Sequence, residues 1–386
     1  MPDAFVRLVD LLRVTRERPL SPPPAAPEEA PAVEVADDAD ERESATRRLR
    51  ARLAMPCGFG RAFDANGAPL DDGPTPPLRF ADVGVPQPLE RVALDRPLWT
   101  GVRAIDALLT IARGARVGVF GAPGTGKSSL LEALARGTCA DALVVALVGE
   151  RGREAERWVR RSDGRTVVIC ATSDRDADER VRACEAAFAH AHALRARGLH
   201  VLLLVDSLAR YAGALREIAL ARGEGSGRGG YPPSVFGRLA RTVEIAGATA
   251  GGSVTAIASV LDDGDERDPV SDAARSLLDG HLALSPERAR AGRYPAIDVL
   301  ASASRTMAAV TSPRHRDRAA RVRAALAWLA RTAEARGLGI GSTDPSAKVF
   351  LAAEPAIEAL LCQGEEPAEP AQTLARLLEV ADTIGE

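Results

Sequence analysis

The chain reads as an α/β protein built on a mostly parallel sheet, with a helical C-terminal domain. Three observations predict this. Between about residues 100 and 310, short apolar runs alternate with stretches of helical spacing. One of these runs passes through a glycine-rich loop into a helix-period segment. After residue 313 the sequence turns rich in Ala, Arg and Leu and stays helical to about 384, with a break at "GLGIGSTDPS" (337–346). Alternation of this kind covers both faces of a parallel sheet with helices. The expected strands are 117–120, 143–148, 166–170, 201–205, 253–260 and 280–284.

The segments before this core carry different signals. Residues 1–18 place Phe5, Leu8, Val9 and Leu12 at helical spacing, an amphipathic N-terminal helix. Residues 19–56 are expected to be an acidic, Pro/Ala-rich linker with a short helix. Residues 57–312 hold the core domain and 313–386 the helical domain. Asn66-Gly67 and Asp72-Gly73 mark hairpin-type turns.

Composition narrows the class. Of 386 residues, 46% are hydrophobic and 27% charged, as in a soluble globular protein. A formal net charge of -3 gives no nucleic-acid footprint, and 4% aromatics give few rings on which bases could stack. The longest apolar runs, such as "ALVVALV" (142–148), are too short to span a bilayer, and no secretory signal is expected. Five scattered cysteines without C-x-x-C spacing read as free thiols in a reducing cytoplasm. His190 and His192 do not share a helical face and read as surface or packing residues.

The phosphate-binding signal is the most specific. Of the 50 basic residues 48 are arginine; Lys127 and Lys348 are the two lysines. Lys127 lies in Gly121-Ala122-Pro123-Gly124-Thr125-Gly126-Lys127-Ser128, the G-x-x-x-x-G-K-S pattern, followed by Ser129 and a helical run. The glycines let backbone N–H groups turn toward phosphate oxygens, and the helix N-terminus adds positive potential. A compact ammonium can reach the β- and γ-phosphates where a wider guanidinium could not. Ser128 is expected on Mg2+.

A phosphate cradle alone is not a hydrolase. "VLLLVD" (201–206) ends in Asp206 at a strand's carboxyl edge, where ligands sit in open α/β sheets, so Asp206 is the second Mg2+ candidate. "LVGERGREAERW" (147–158) puts Glu150 at another such edge, where a carboxylate can polarise a water. The same spacing also fits a solvated helix start. "RYPAIDVLASASR" (293–305) offers Tyr294 for base stacking and Arg305 as an arginine finger. "EGSGRGGYPPSVFGRLAR" (224–241) reads as a flexible loop with Arg228 at its tip, entering a helix at Pro232-Pro233; it suits a ring motor's pore loop or a plain surface loop.

Taken together, "TGVRAIDALLTIARGARVGVFGAPGTGKSSLL", "VGERGREAE", "VDSLARYAGALREIALARGEG", "GYPPSVFGRLARTVEIAG" and "GRYPAIDVLASASR" resemble the type III secretion ATPases, a family similar to the catalytic subunit of rotary ATP synthases. The resemblance covers roughly 57–384 and is strongest from 100 to 310. It implies a RecA-like P-loop core and ATP hydrolysis with Mg2+, coupled to protein export with chaperone release and substrate unfolding. It also implies a homohexamer working with stalk and stator proteins, peripheral at the cytoplasmic face of the inner membrane. By motif, Glu150 would orient the attacking water, Arg151 would support it, and Arg210 would point back at the phosphates. Tyr294 would face the adenine, and Arg305 would serve a neighbouring subunit's site.

The chain departs from the family in two places. The segment before "GRAFDANGAPLDDGP" does not accommodate the six alternating strands of the family's N-terminal β-barrel, which is expected to be reduced or absent. Leu360 stands where an aromatic usually precedes the last "LxQ", so the adenine pocket is expected to lose a stacking wall. Injectisome export is favoured over flagellar on "YPAIDVLASASR", while "RYAGALREIALARGE" is closer to flagellar forms. Two rivals are a ring helicase-like nucleic-acid motor, disfavoured by charge, and a nucleotide-binding regulatory subunit, disfavoured by the presence of Glu150.

Lys127→Ala should abolish ATP turnover and sharply weaken triphosphate binding. Lys127→Arg should fail as well, because the loop is shaped for an ammonium; full turnover by Lys127→Arg in a phosphate-release assay would sink that argument.

Overall fold

The structure, a computed structural model, describes residues 48–54, 59–75, 78–161, 163–262, 268–339 and 344–385. It opens with strands β1 (Arg48–Ala54), β2 (Arg61–Asp64) and β3 (Leu78–Gly84). Helix α1 (Arg103–Leu108) leads into β4 (Arg116–Gly121), α2 (Lys127–Gly137), β5 (Ala142–Glu150) and α3 (Gly152–Arg161). Next come β6 (Thr166–Thr172), α4 (Ala177–Arg195), β7 (His200–Asp206), α5 (Leu208–Ala221) and α6 (Pro233–Val243). The core ends with β8 (Gly252–Leu261), α7 (Pro269–Leu277), β9 (Gly280–Leu284) and β10 (Ile297–Ser304). Three helices follow: α8 (Pro313–Gly337), α9 (Ala347–Leu361) and α10 (Pro370–Ile384).

Among the described residues the main sheet runs β10-β9-β4-β8-β7-β5-β6-β2, with the short strand Gly247–Thr249 added beside β8. On this path only β10 is antiparallel to its neighbour. The six expected strands all form because both faces of the sheet are covered, which demands continuous apolar runs. In β5, Val144, Ala146 and Val148 pack with α4 and α5 on one face. Leu143, Val145 and Leu147 pack on the other, in the cluster that holds α1, α2 and the C-terminal helices. The amino ends of the parallel strands gather at one edge of the sheet and their carboxyl ends at the other, so the loops after β4, β5 and β7 emerge together.

Three expectations change. The helix expected over 1–18 and most of the linker lie outside the described residues. The short helix expected before residue 57 is instead β1, paired antiparallel with β3 from Arg48↔Gly84 to Ala54↔Leu78. The reason is visible in "RLRARLA", which alternates at period two just after an acidic stretch that hides it. Asn66-Gly67 does turn the chain, with Gly67 N–H donating to Asp64 O at 3.1 Å. At Asp72-Gly73, by contrast, the neighbouring Asp71 carboxylate takes Arg61 at 2.7 Å and the Ala62 N–H at 2.8 Å. The loop expected to be flexible is clasped: Arg228 pairs with Asp272 at 2.5 Å, Arg216 Nε donates to Gly230 O at 2.8 Å, and Ser234 bonds Glu224.

A buried polar triangle joins the helices on one face. Glu185 of α4, 6% exposed, accepts from Tyr211 Oη of α5 at 3.1 Å and from Arg238 Nε of α6 at 2.7 Å. Tyr211 Oη also meets Thr242 Oγ1 at 2.8 Å. Glu185→Ala should lower stability by about 2 kcal/mol, since it strands buried donors. Glu185→Gln, which keeps an acceptor, should lose less. Urea midpoints for the two variants check this; equal midpoints to the parent protein would refute it.

Candidate active site

The phosphate loop is built from β4 and α2. Gly126 caps α2 in the left-handed region, φ 96°, which a residue with a Cβ adopts only with strain. Thr125 is buried and donates to Ala122 O at 2.8 Å, tightening the turn. The Lys127 ammonium donates to Gly121 O at 2.8 Å and Ala122 O at 2.9 Å, so it is aimed along the loop. Burial lowers its pKa, and the nearby Asp206 and Glu150 carboxylates work against that shift. Pro123, Gly124 and Ser129 are exposed along the rim.

Asp206 ends β7, 5% exposed. It accepts from Ser128 Oγ at 3.1 Å and from Ser259 Oγ of β8. Burial raises its pKa, and the two hydroxyl donors partly offset the rise. A serine hydroxyl beside a carboxylate, both oxygen donors next to a phosphate cradle, fits Mg2+, which prefers few protein oxygens and fills the rest of its shell with water and phosphate. Ser259 was not legible in the sequence as a site residue. The only trace is a hydroxyl near the end of a mostly apolar strand that also carries Ser253 and Thr255.

Glu150 ends β5 across a register shift between Val148 and Glu150. Gly149, φ 70°, makes the bulge, and a Cβ there would lie 3.1 Å from Arg210 Cδ. The Glu150 carboxylate, 7% exposed, meets Arg210 Nε at 3.4 Å. Its pKa is pushed up to about 8, first by burial, then by a hydrogen bond with Glu154 and the Asp206 charge, against the pull of Arg210. Arg151 is exposed where the chain leaves β5 for α3.

Tyr294 stands beside the loop, 46% exposed, with its ring edge 3.6 Å from the point a Cβ on Gly126 would occupy. Its hydroxyl donates to Ala289 O at 3.2 Å. Leu360 does not line this space: it is 1% exposed and packs into the core with α1 and α10.

Lys127, Ser128, Glu150, Asp206 and Arg210 thus converge on one sheet edge. Arg305 does not join them. Ser304 pairs opposite Gly280, and Gly280 opposite Val117, so Arg305 lies at the amino end of β4 and β9. That is roughly 13 Å of strand away from Gly121. Arg305 is exposed there and donates to Arg275 O at 3.4 Å.

Residues 101–304 match the family described as ATP synthase alpha/beta family, nucleotide-binding domain. The chain is 47% identical over 290 residues to the SPI-2 type 3 secretion system ATPase of Salmonella typhimurium, spanning 72% of this chain and 67% of that one. It is 44% identical over 332 residues to the flagellum-specific ATP synthase of the same organism, spanning 82% and 73%. Among solved structures, the assembled ATPase EscN from the enteropathogenic E. coli type III secretion system superposes with a TM-score of 0.81 at 36% identity, over 86% of this chain and 84% of that one. EscN in complex with its central stalk EscO gives 0.79 at 36%, over 86% and 83%.

Glu150→Gln should bind nucleotide normally and turn it over at least ~100-fold more slowly, as for loss of a water-orienting base. The parent protein's kcat/KM should climb as pH rises through about 8, because the raised pKa keeps the carboxyl protonated below it. A pH profile in which Glu150→Gln retains that limb would move the role elsewhere, Glu154 being next.

Proposed function

From the premise that the chain belongs to the type III secretion ATPases, within the ATP synthase alpha/beta family, we propose that it hydrolyses Mg-ATP to drive protein export through an injectisome-type apparatus. The observation that carries this is the convergence of Lys127, Ser128, Asp206 and Glu150 on one carboxyl edge. Lys127 binds the β- and γ-phosphates. Ser128 and Asp206 would hold Mg2+, which would neutralise charge on the phosphate oxygens. Glu150, ionised, accepts a hydrogen bond from the water that attacks the γ-phosphorus. Arg210 steadies that carboxylate from the first turn of α5 and presents its guanidinium to the phosphates; Arg151 supports the same edge.

Arg305 acts in trans. Its place at the amino end of the strands, exposed, takes it out of reach of its own loop and leaves it open to a neighbour. A ring of identical subunits, a homohexamer, supplies that neighbour. The relative EscN was solved assembled and with a central stalk, EscO; a stalk and a stator are the corresponding partners here. Chaperone–substrate complexes are the cargo and the cytoplasmic face of the inner membrane the place of work. Among the described residues no helix is long and apolar enough to cross a membrane. The proposed division is residues 57–312 for hydrolysis and 313–386 for the helical domain. "YPAIDVLASASR" supports the injectisome assignment; a flagellar role would use the same chemistry.

Arg305→Ala and Lys127→Ala should each be inactive, and mixing them should restore part of the activity, since some interfaces then pair an intact loop with an intact arginine. No rescue in rings shown to be mixed would place Arg305 in its own subunit's chemistry or in structure alone.

A further inference from the structure

The turn that carries Tyr294 is held by a reciprocal clasp between two helix ends that lie 260 positions apart. At the start of α1, Arg103 N–H is one of the amides a helix leaves without an internal partner. Gln363 Oε1 accepts it at 2.9 Å. At the end of α9 the last carbonyls are equally orphaned, and the Arg103 guanidinium donates to Ala359 O at 3.1 Å, Leu360 O at 3.3 Å and Cys362 O. The other end of the Gln363 amide, Nε2, donates to Gly101 O at 2.7 Å and Glu366 O at 2.8 Å. The clasp stands on the core. Asp106, fully buried, accepts from Gly101 N–H at 2.9 Å and from Thr100 N–H at 2.9 Å.

From this clasp one bond runs to the base side of the site: Gln363 N–H donates to Tyr294 O at 2.8 Å. A second tie, Arg288 to Glu358 at 3.0 and 3.2 Å, joins the turn before Tyr294 to α9 in bidentate geometry. The phosphate loop takes no bond from either tie. We propose that Arg103 and Gln363 are positioning residues for nucleobase recognition. By docking the end of α9 on α1 they fix Tyr294 beside the phosphate loop, so affinity for the base, and not for the phosphates, depends on the clasp. The inference rests on Tyr294 meeting the adenine.

The test uses the full chain. For Gln363→Leu, KM for Mg-ATP and the inhibition constant of Mg-ADP should rise about tenfold, the upper size of one lost hydrogen bond, with kcat within about twofold. Inhibition by Mg-tripolyphosphate, which has no base, should be unchanged, and this also reports an intact fold. Arg103→Lys, which keeps the charge but loses the fork, should fall between the parent protein and Gln363→Leu. In a Tyr294→Ala background Gln363→Leu should add no more than about twofold, since both act through one contact. Equal weakening of ADP and tripolyphosphate would make the clasp a mere fold element and overturn the proposal, as would unchanged ADP affinity in Gln363→Leu when Tyr294→Ala weakens it. Unchanged ADP affinity in Tyr294→Ala itself would instead overturn the stacking role of Tyr294, and the clasp's role with it.

Discussion

The hydrogen bond from Ser128 to Asp206 joins the first turn of α2 to the end of β7, and the site is organised around it. It can form because β4, β8 and β7 run parallel and adjacent, so their carboxyl ends open together. Ser259, on the strand between, completes the support of the carboxylate. A buried carboxylate without donors is costly, and these two hydroxyls supply donors to both its oxygens. The oxygen that meets Ser128 stands at the start of α2, beside the phosphate loop.

Burial sets the electrostatics of the rest. It lowers the Lys127 ammonium and raises Glu150 and Asp206, opposite directions from one cause, because each charged form loses water. The Asp206 charge also raises Glu150, and the Glu154 charge raises both. Arg210 counters this at Glu150, and its reach from α5 is permitted by the absence of a side chain at Gly149. The glycine there serves both a backbone bulge and a close approach by the arginine, so its conformation and its missing Cβ belong to one requirement.

Much of this was legible in the sequence, for a physical reason. Strands buried on both faces must be apolar throughout, and six such runs gave the inner sheet. The edges were harder. β2 and β10 are bounded on one side only, so their residues mix buried with half-buried and, in β10, exposed positions and carry no clean period. β1 has a clean period but sits beside an acidic, proline-rich stretch. Lys127, Glu150 and Asp206 were found because loop chemistry and strand ends fix their places. Ser259 was not, since one hydroxyl in a strand has no motif. The partnership of Arg103 with Gln363 could not be read because nothing local links residues so far apart. Arg305 could be assigned as a finger by resemblance, but only the register of β10, β9 and β4 puts it at the far end from its own loop.

On the proposed role of Arg305 in trans, the site is complete only when two chains meet. The most direct measurement is ATPase activity per chain across an enzyme dilution series, with sedimentation of the same samples at each concentration. The account predicts that activity per chain falls as assemblies give way to monomers and recovers on concentration. Constant activity per chain in samples that sediment as monomers would contradict it.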